Sequence, residues 1–289
     1  MPRAVILAGG RGMRLRPYTA VLPKPLLPIG DRPVLDIVLS QLGFAGFTRL
    51  TVATGYMGEL IEAVLTHRNR RRLQIDYVRE QEPLGTVGAL AMIDDLNEPF
   101  LVMNGDVLTD LDYRRLYADH VESGAIATIA STTRHVQVSL GVLECEQEGA
   151  LTRLTGYIEK PRLTYAVSMG VYCFAPAVLR YIERGQALDL PDLALRLIEA
   201  GEFVQAWHSD AYWVDLGRRE DYETAVEDFE RMRGRLLPDE ADFESGTATD
   251  PSVTETLAPD VDPVVTDVQL QPQSLHGTGA NIVLAPPQD

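Results

Sequence analysis

The first 110 residues alternate between short apolar runs and longer segments with helical spacing. The runs have the length of buried strands, and the one at 73–79 alternates apolar and polar residues with a period of two. This order is typical of a mainly parallel sheet with helices on both faces, which binds ligands at the carboxyl ends of its strands. The predicted strands are 4–7, 49–54, 73–79 and 100–103, and the predicted helices are 31–42 (capped by Asp31, with Pro33 in its first turn), 58–66 and 86–96.

The order of elements changes after residue 112. Successive strands with few helices between them predict an antiparallel or mixed region beside the parallel part. We expect helices at 113–123, 175–183, 191–200 and 218–233, and strands at 125–131, 136–145, 150–159, 167–174, 204–208 and 212–215. The prediction is one α/β domain over 1–234, with halves at about 1–112 and 113–234.

The composition shifts at residue 235. Residues 235–289 hold ten Asp and Glu against the single basic residue Arg235, together with many Pro, Thr, Ser and Gly. Such a segment buries too little apolar surface to offset the entropy lost on ordering. We predict a disordered acidic tail, and a partner-binding or self-inhibitory role is the alternative.

The overall composition excludes several classes of function. The net charge is -16, and the short basic run at 68–72, which we expect at a helix end, is too small for a nucleic-acid surface. No apolar stretch approaches the ~20 residues of a membrane helix, and the chain opens directly on a strand, so we expect no signal peptide. Cys145 and Cys173 lack metal-site spacing and are predicted to be reduced core thiols. We therefore expect a cytoplasmic protein that binds neither nucleic acid nor membrane.

A glycine-rich loop, AGGRGMRLRP, follows the first predicted strand. The backbone N–H groups of such a loop can close around phosphate oxygens, and neighbouring cations neutralise them. It is not a dinucleotide-binding fingerprint, because Leu15 stands where the third glycine belongs, and no Gly-Lys-Ser/Thr of a Walker A loop follows. We predict a polyphosphate site. Its candidate residues are Gly9, Gly10, Gly12, Arg11, Arg14, Arg16 and Lys24.

Lysine is rare in this chain. Of the 26 basic residues only Lys24 and Lys160 are lysines, and the remaining 24 are arginines. A compact ammonium on a flexible stem does what a planar guanidinium cannot, so both lysines are candidates for function. Chance within an arginine-biased composition is the other explanation.

Several motifs in one order give the chain a family resemblance. LAGGRGMRLRPYTAVLPKPLLPI, EQEPLGTVGAL, NGD, GYIEKP, SMGVY and WVDLGRREDY follow one another across residues 3–230. In these motifs the chain resembles the sugar-1-phosphate nucleotidylyltransferases. The resemblance implies an enzyme with a Rossmann-like mixed, mainly parallel sheet flanked by helices, and an active site along the carboxyl edge of that sheet. It makes 1–112 the nucleotide half and 113–234 the sugar-phosphate half.

The implied reaction joins two phosphate compounds. A phosphate oxygen of the sugar 1-phosphate attacks the α-phosphorus of the NTP in line and expels pyrophosphate. Because the attacking group is already an oxyanion, no protein nucleophile is needed, and catalysis reduces to positioning and charge neutralisation. Arg14 and Lys24 are the candidates to neutralise the triphosphate. The nucleotide site is predicted from Leu7, Ala8, Gly9, Gly10, Gly12, Gln81, Gly85 and Thr86, with Gln81 facing the base and Gly85 leaving room for its ring.

The resemblance also implies a metal and a sugar site. Mg²⁺ takes one or two carboxylates beside the phosphates, and Asp106 and Asp215 match the two metal-binding aspartates of the family, Asp106 being also a catalytic candidate; Asp110 and Asp112 are expected to cap a helix. The sugar-phosphate residues implied are Lys160 for the phosphate, Glu159 and Gly141 for hydroxyls, and Ser168 and Gly170 for the pocket wall. Ser168-Met169-Gly170 stands where the family more commonly has Asn-Ala-Gly. The sugar is therefore the substrate that the resemblance defines least.

The identity of the nucleotide and the sugar stays open at this point. EPLGT followed by a short apolar helix resembles the mannose-1-phosphate guanylyltransferase branch, which favours GTP and mannose 1-phosphate. Uridylyl, thymidylyl or adenylyl transfer to glucose 1-phosphate or another sugar 1-phosphate is the alternative. A regulatory subunit that binds a nucleotide sugar without turnover is the alternative from another class. The sequence also leaves the oligomeric state open, including a homo-oligomer.

Overall fold

The computed structural model describes residues 2–67 and 73–237. Strands and helices alternate through its first half, as the sequence predicts. In chain order the elements are β1 (Arg3–Ala8), β2 (Pro28–Ile29), β3 (Arg32–Pro33), α1 (Val34–Phe44), β4 (Arg49–Thr54), α2 (Gly58–His67), β5 (Gln74–Arg79), β6 (Phe100–Asn104), β7 (Val107–Thr109), α3 (Tyr113–Ser123), β8 (Ala127–Gln137), β9 (Val142–Glu148), β10 (Leu151–Ile158), β11 (Arg162–Phe174), α4 (Leu190–Glu199), β12 (Val204–His208), β13 (Trp213–Asp215) and α5 (Arg219–Leu236).

The central sheet has seven strands in the order β12-β8-β11-β6-β1-β4-β5. Strands β6, β1, β4 and β5 are parallel neighbours, whereas β11 runs antiparallel to β6. The predicted mixed, mainly parallel sheet flanked by helices is confirmed. Because β1 is central and parallel to both neighbours, the residues that follow it lie at the carboxyl edge of the sheet.

The sheet separates two hydrophobic cores. Along β1, Ala4, Ile6 and Ala8 pack into one core with α1 and α5, whereas Val5 packs into the other with β11 and α4. Successive side chains of a strand point to opposite faces, so alternate residues of β1 enter different cores. Because both faces are buried, the strand is one continuous apolar run in the sequence. The core therefore fixes the register of β1 and the position of the loop after it.

Several element boundaries differ from the prediction. Asp31 is not a helix cap, because the β2–β3 hairpin includes the turn at 30–31 and α1 begins at Val34 with Pro33 as its N-cap. The side chain of Asp31 instead pairs with Arg233 of α5, which holds the pKa of that carboxyl below its usual range. Where helices were expected at 86–96 and 175–183, only short 3₁₀ helices form, at Gly88–Met92 and Pro176–Tyr181.

Further strands differ from the prediction. The expected strand at 136–145 is interrupted, because β8 ends at Gln137 and β9 begins at Val142. Strand β11 starts five residues earlier than expected, and β7 was missed because three residues are too few to show a period. Asp112 caps α3 as expected by accepting a hydrogen bond from the backbone N–H of Arg115, whereas Asp110 accepts one from Tyr212.

The described chain divides into two compact units. The larger unit comprises the residues up to Arg134 and from Thr164 onward, and the smaller unit is His135–Leu163, with the β9–β10 hairpin. Cys173 is a buried thiol in the larger unit, but Cys145 is exposed on the hairpin, so the prediction of two core thiols is wrong for Cys145.

The expected tail boundary at 235 falls inside α5, which continues to Leu236. The remainder of the predicted acidic tail, 238–289, and the basic run 68–72 lie outside the described residues. Among the helices of the described part, none is long and apolar enough to cross a membrane. The catalytic domain over 1–234 and its division near 112 stay predictions.

Candidate active site

Four parallel strands end together at one edge of the sheet. The register aligns Ala8 of β1 with Thr54 of β4, which in turn aligns with Arg79 of β5, and Leu7 aligns with Asn104 of β6. The residues that follow these strands are Gly9, Gly55, Glu80 and Gly105. Three of the four have no side chain, so the edge offers backbone and open space to a ligand.

The first turn of the glycine loop packs directly on its neighbours. The carbonyl of Gly9 accepts a hydrogen bond from the backbone N–H of Tyr56 at 3.1 Å, and the carbonyl of Leu7 accepts one from Gly105 at 2.9 Å. A Cβ on Gly55 would lie 2.9 Å from the Gly9 oxygen, whereas one on Gly10 would meet nothing within 4 Å. The strand ends thus hold Gly9 in place and leave Gly10 open.

The second part of the glycine loop, from Gly12 onward, returns the chain so that Lys24 lies against Gly12. Gly12 adopts a left-handed conformation with φ +60, and its carbonyl accepts a hydrogen bond from the Thr19 hydroxyl at 2.8 Å. A Cβ on Gly12 would lie 3.2 Å from the Cβ of Lys24. Arg14 is exposed on the short helix Met13–Leu15. The loop therefore places one buried and one exposed cation beside the same backbone turn.

Lys24 is the centre of a charged cluster. It is 9% exposed, and its ammonium forms an ion pair with Asp106 and lies 3.6 Å from Oδ1 of Asp215. Asp106 lies in the turn before β7 and Asp215 ends β13, and the two are brought together because β7 pairs antiparallel with β13 and aligns Val107 with Asp215. The structure thus brings together three of the predicted site residues.

The carboxylates of the cluster fit a divalent cation. The Oδ1 atom of Asp106 is buried and has no hydrogen-bond partner within the described ranges. Burial, and then the charge of Asp106, raise the pKa of Asp215, while Lys24 and Arg14 oppose that rise. Two close carboxylates with a free buried oxygen form a hard oxygen donor set. A third carboxylate, cysteine or histidine does not join them in the described part of the chain.

The turn after β5 holds the predicted base-binding residues. Gln81 is exposed at its start. Gly85 has φ +71, and a Cβ there would lie 2.6 Å from the backbone oxygen of Leu188, so close packing alone requires a glycine here; its role beside a base stays a prediction. The backbone N–H and hydroxyl of Thr86 both donate to Oδ1 of Asp189 at 2.9 Å, which ties the turn to the start of α4.

Ser168 and Gly170 lie beside the charged cluster on β11. A Cβ on Gly170, which has φ +73, would lie 2.8 Å from Nδ2 of Asn104. The Ser168 hydroxyl lies 3.3 Å from the hydroxyl of Tyr172, whose pKa is raised chiefly by burial, with Asp106 and Asp215 adding to the rise. This end of β11 therefore lines the same part of the sheet edge as the carboxylates.

The remaining sugar-phosphate candidates lie in the hairpin unit. Within that unit, the exposed Lys160 has φ +46, a left-handed conformation that non-glycine residues rarely adopt, and its ammonium lies 3.7 Å from Glu159. Gly141 lies against the hydroxyl of Tyr157, which donates to Glu159 at 3.1 Å. The contact of these three residues with a sugar phosphate stays a prediction.

Two polar side chains at the edge were missed from the sequence. Glu80 follows β5, and its Oε2 accepts a hydrogen bond from the backbone N–H of Leu84 at 3.0 Å. Asn104 ends β6 with a buried Oδ1 that lacks a partner among the described residues. The signal was present in the sequence, because both residues immediately end or follow a predicted parallel strand.

Comparisons with known proteins agree on a family. The sequence profile of the Nucleotidyl transferase family matches residues 3–232. The chain is 35% identical to a UTP–glucose-1-phosphate uridylyltransferase of Synechocystis, covering 78% of this chain and 62% of that protein. It is 32% identical to the mannose-1-phosphate guanylyltransferase catalytic subunit beta of Danio rerio, covering 78% and 63%.

A solved structure supports the fold. The crystal structure of HddC from Yersinia pseudotuberculosis complexed with GMP-PN is 27% identical, with a TM-score of 0.60, and the match covers 79% of this chain and 100% of that one. The match to the two curated relatives spans less than two thirds of their length. Profile, relatives and fold together show that this chain belongs to the Nucleotidyl transferase family.

Proposed function

We propose that this chain transfers a nucleotidyl group from an NTP to a sugar 1-phosphate, releasing pyrophosphate and forming a nucleotide sugar. The observation that carries the proposal is the buried Lys24. Its ammonium contacts Asp106 and Asp215 beside the glycine loop, at the carboxyl edge of the sheet. Family membership supports the same reaction.

The reaction needs little covalent chemistry from the protein. The attacking phosphate oxygen is already ionised, so the barrier lies in bringing negative groups together and in the charge that shifts toward pyrophosphate. Lys24 supplies a buried positive charge beside the triphosphate, and Arg14 supplies an exposed one. The open backbone at Gly10 gives phosphate oxygens a close approach. These residues act by binding and orienting the phosphates.

Asp106 and Asp215 are proposed to hold Mg²⁺. The free buried oxygen of Asp106 supports this assignment, as does the closeness of the two carboxylates. When bound, the cation supplies positive charge to the phosphate oxygens around the α-phosphorus. The ammonium of Lys24, which contacts both carboxylates, is proposed to add positive charge for the triphosphate.

The sugar 1-phosphate is proposed to lie toward β11, lined by Ser168 and Gly170. The free Oδ1 of Asn104 is a further acceptor for a sugar hydroxyl there. From the hairpin unit, Lys160 is proposed to pair with the sugar phosphate, and Glu159 and Gly141 to meet its hydroxyls. The left-handed backbone of Lys160 supports a functional constraint at that residue.

For the two substrates we propose GTP and mannose 1-phosphate. The names of the guanylyltransferase relative and of the HddC complex support a guanine nucleotide. The uridylyltransferase relative, at similar identity, makes UTP with glucose 1-phosphate the second candidate. Thymidylyl and adenylyl transfer remain alternatives, and the cytoplasmic compartment stays a prediction.

A pyrophosphate-release assay tests the proposal. We expect turnover with Mg²⁺ and at least one pair from four NTPs and several sugar 1-phosphates. Asp106→Asn should abolish it, whereas Asp210→Asn, which neutralises a side chain that is 93% exposed, should not. Absence of turnover with every pair, in a folded protein that binds NTP, would instead indicate a regulatory sugar-nucleotide-binding subunit.

A further inference from the structure

The turn after β5 lies against a second segment of the chain, 186–190, which leads into α4. Two glycines of the turn make this approach possible. A Cβ on Gly85 would lie 2.6 Å from the backbone oxygen of Leu188, and one on Gly88 would lie 2.7 Å from that of Gln186. A larger residue at either position would push the two segments apart.

Leu188 joins the two segments through both of its backbone groups. Its N–H donates to the carbonyl of Leu84 at 2.9 Å, and its own carbonyl accepts a hydrogen bond from the N–H of Val87 at 3.0 Å. The side chains of Leu188 and Val87 are both buried in the second core. The segment 186–190 is therefore a fixed part of the fold, against which the turn can be held in one position.

Asp189 and Thr86 form a reciprocal pair between the two segments. Asp189 is the N-cap residue of α4, a position where an aspartate ordinarily accepts a hydrogen bond from the first turn of its own helix. Within the described part of the chain its side chain makes no such bond. Its Oδ1 instead accepts from the backbone N–H and from the hydroxyl of Thr86, each at 2.9 Å. The Thr86 hydroxyl in turn accepts from the N–H of Leu190, the first residue of α4, at 2.8 Å.

The carboxylate of Asp189 is thus used on the turn instead of on its own helix. Giving up a cap weakens a helix end, so the stability of α4 does not explain the arrangement. What the arrangement adds is two charge-assisted hydrogen bonds to one residue of the turn, and such bonds are stronger than those between neutral groups. A turn that is already ordered loses less conformational entropy when it binds a ligand. Asp189 therefore preorganises the turn around Thr86.

We infer that Asp189 is a positioning residue for the NTP, an inference that rests on the proposed nucleotidyl transfer. It acts through Thr86, which belongs to the predicted nucleotide site, and holds the turn in the conformation that receives the nucleotide. The sugar 1-phosphate is proposed to lie toward β11, away from this turn. Loss of Asp189 should therefore raise KM for the NTP and leave KM for the sugar 1-phosphate unchanged. A general loss of stability would not separate the two substrates in this way.

The first test removes the acceptor. In Asp189→Ala we expect KM for the NTP that supports turnover to rise by about tenfold, because the nucleotide itself must then order the turn. Asp189→Asn keeps an oxygen and loses the charge, and it should give a smaller rise. Asp192→Ala removes an exposed carboxylate from the first turn of the same helix and should leave both KM values unchanged. In folded Asp189→Ala, a KM for the NTP within about twofold of wild type, or an equal rise for both substrates, overturns the inference.

The second test changes Thr86, so it holds even if Asp189→Ala fails to fold. Thr86→Ser keeps the hydroxyl that bonds Asp189 and Leu190, whereas Thr86→Val keeps the branched shape and loses the hydroxyl. The rise in KM for the NTP should appear in Thr86→Val and not in Thr86→Ser. Asp189→Asn should raise KM less in the Thr86→Val background than in wild type, because the two side chains act as a pair.

The remaining outcomes separate the role of Asp189 from the transfer reaction. Equal KM values in Thr86→Ser and Thr86→Val, or fully additive effects of Thr86→Val and Asp189→Asn, refute positioning by Asp189 and leave the transfer reaction standing. Turnover with no NTP in wild type refutes the transfer reaction itself, and the role of Asp189 with it.

Discussion

Replacing Gly85 by alanine tests whether backbone packing holds the turn after β5. Two separate costs meet at this glycine. Its φ of +71 lies in the left-handed region, and a new Cβ would lie 2.6 Å from the backbone oxygen of Leu188 and 2.8 Å from its carbonyl carbon. These are backbone atoms, and the same Leu188 oxygen already accepts a hydrogen bond from Val87, so it cannot move away without breaking that bond.

Gly124 supplies a matched control. It follows α3 with φ +65, and a Cβ there would meet nothing within 4 Å. Gly124→Ala therefore measures the left-handed conformation alone, about 1–2 kcal/mol. Gly85→Ala adds overpacking of about 1–3 kcal/mol. The free energy of unfolding should fall by about 2–5 kcal/mol in Gly85→Ala, and Tm should fall about 2–12 °C further than in the control.

Urea unfolding followed by circular dichroism gives both free energies, and calorimetry gives both Tm values. If Gly85→Ala is no less stable than Gly124→Ala, the close contact with Leu188 does not exist in solution. The explanation of this glycine by packing would then be wrong, and the sequence-based explanation, that it leaves room for a base, would be the one left.

Three further changes have defined outcomes. Lys24→Met should lower kcat/KM for pyrophosphate release by about a hundredfold to a thousandfold, because it removes a buried charge beside the proposed phosphate site; a loss below tenfold in a folded variant would exclude that role. Gln41→Leu should cost about 1–3 kcal/mol in urea unfolding, because it removes the donor to the carbonyls of Thr109 at 2.7 Å and Leu236 at 2.9 Å, and an unchanged midpoint would contradict this. His120 is buried, and that burial is the main cause of its lowered pKa, so its imidazole stays neutral in the native state at a pH where the unfolded chain already binds a proton. The free energy of unfolding should therefore fall as the pH drops below about 6.5. His120→Gln should lose that part of the pH dependence. Parallel slopes of stability against pH for wild type and His120→Gln would show that the histidine does not contribute.

The sequence predicted the part of the fold that its apolar pattern determines. Strand β4 was predicted residue for residue, because a short apolar block between two helical segments has few other interpretations. The segment 86–96 was predicted as a helix, yet only Gly88–Met92 is helical, as a short 3₁₀ helix. Val87 and Leu90 are buried in the second core. The apolar pattern indicates that such residues are buried, but it does not say whether the backbone between them is an α-helix.

Parts of the candidate site were also accessible from the sequence. Lys24 and Asp106 were singled out by their motifs, and the structure brings them into an ion pair. Glu80 was passed over in favour of its neighbour Gln81, because sequence alone does not say which of two adjacent polar residues faces the loop. Only the approach of Gly9 to the Glu80 carboxylate distinguishes them.

The pairing of β7 with β13 has a consequence for the order in which the protein is made. Asp106 and the glycine loop belong to the part of the chain that is synthesised first, whereas Asp215 lies close to the end of the matched domain. Contacts between segments so far apart close late in folding, because the long loop between them must first lose its entropy. A nascent or truncated chain that ends before Trp213 can hold Lys24 against one carboxylate but not against two. The acidic pair therefore marks completion of the domain, and a partly made chain lacks the complete charged cluster.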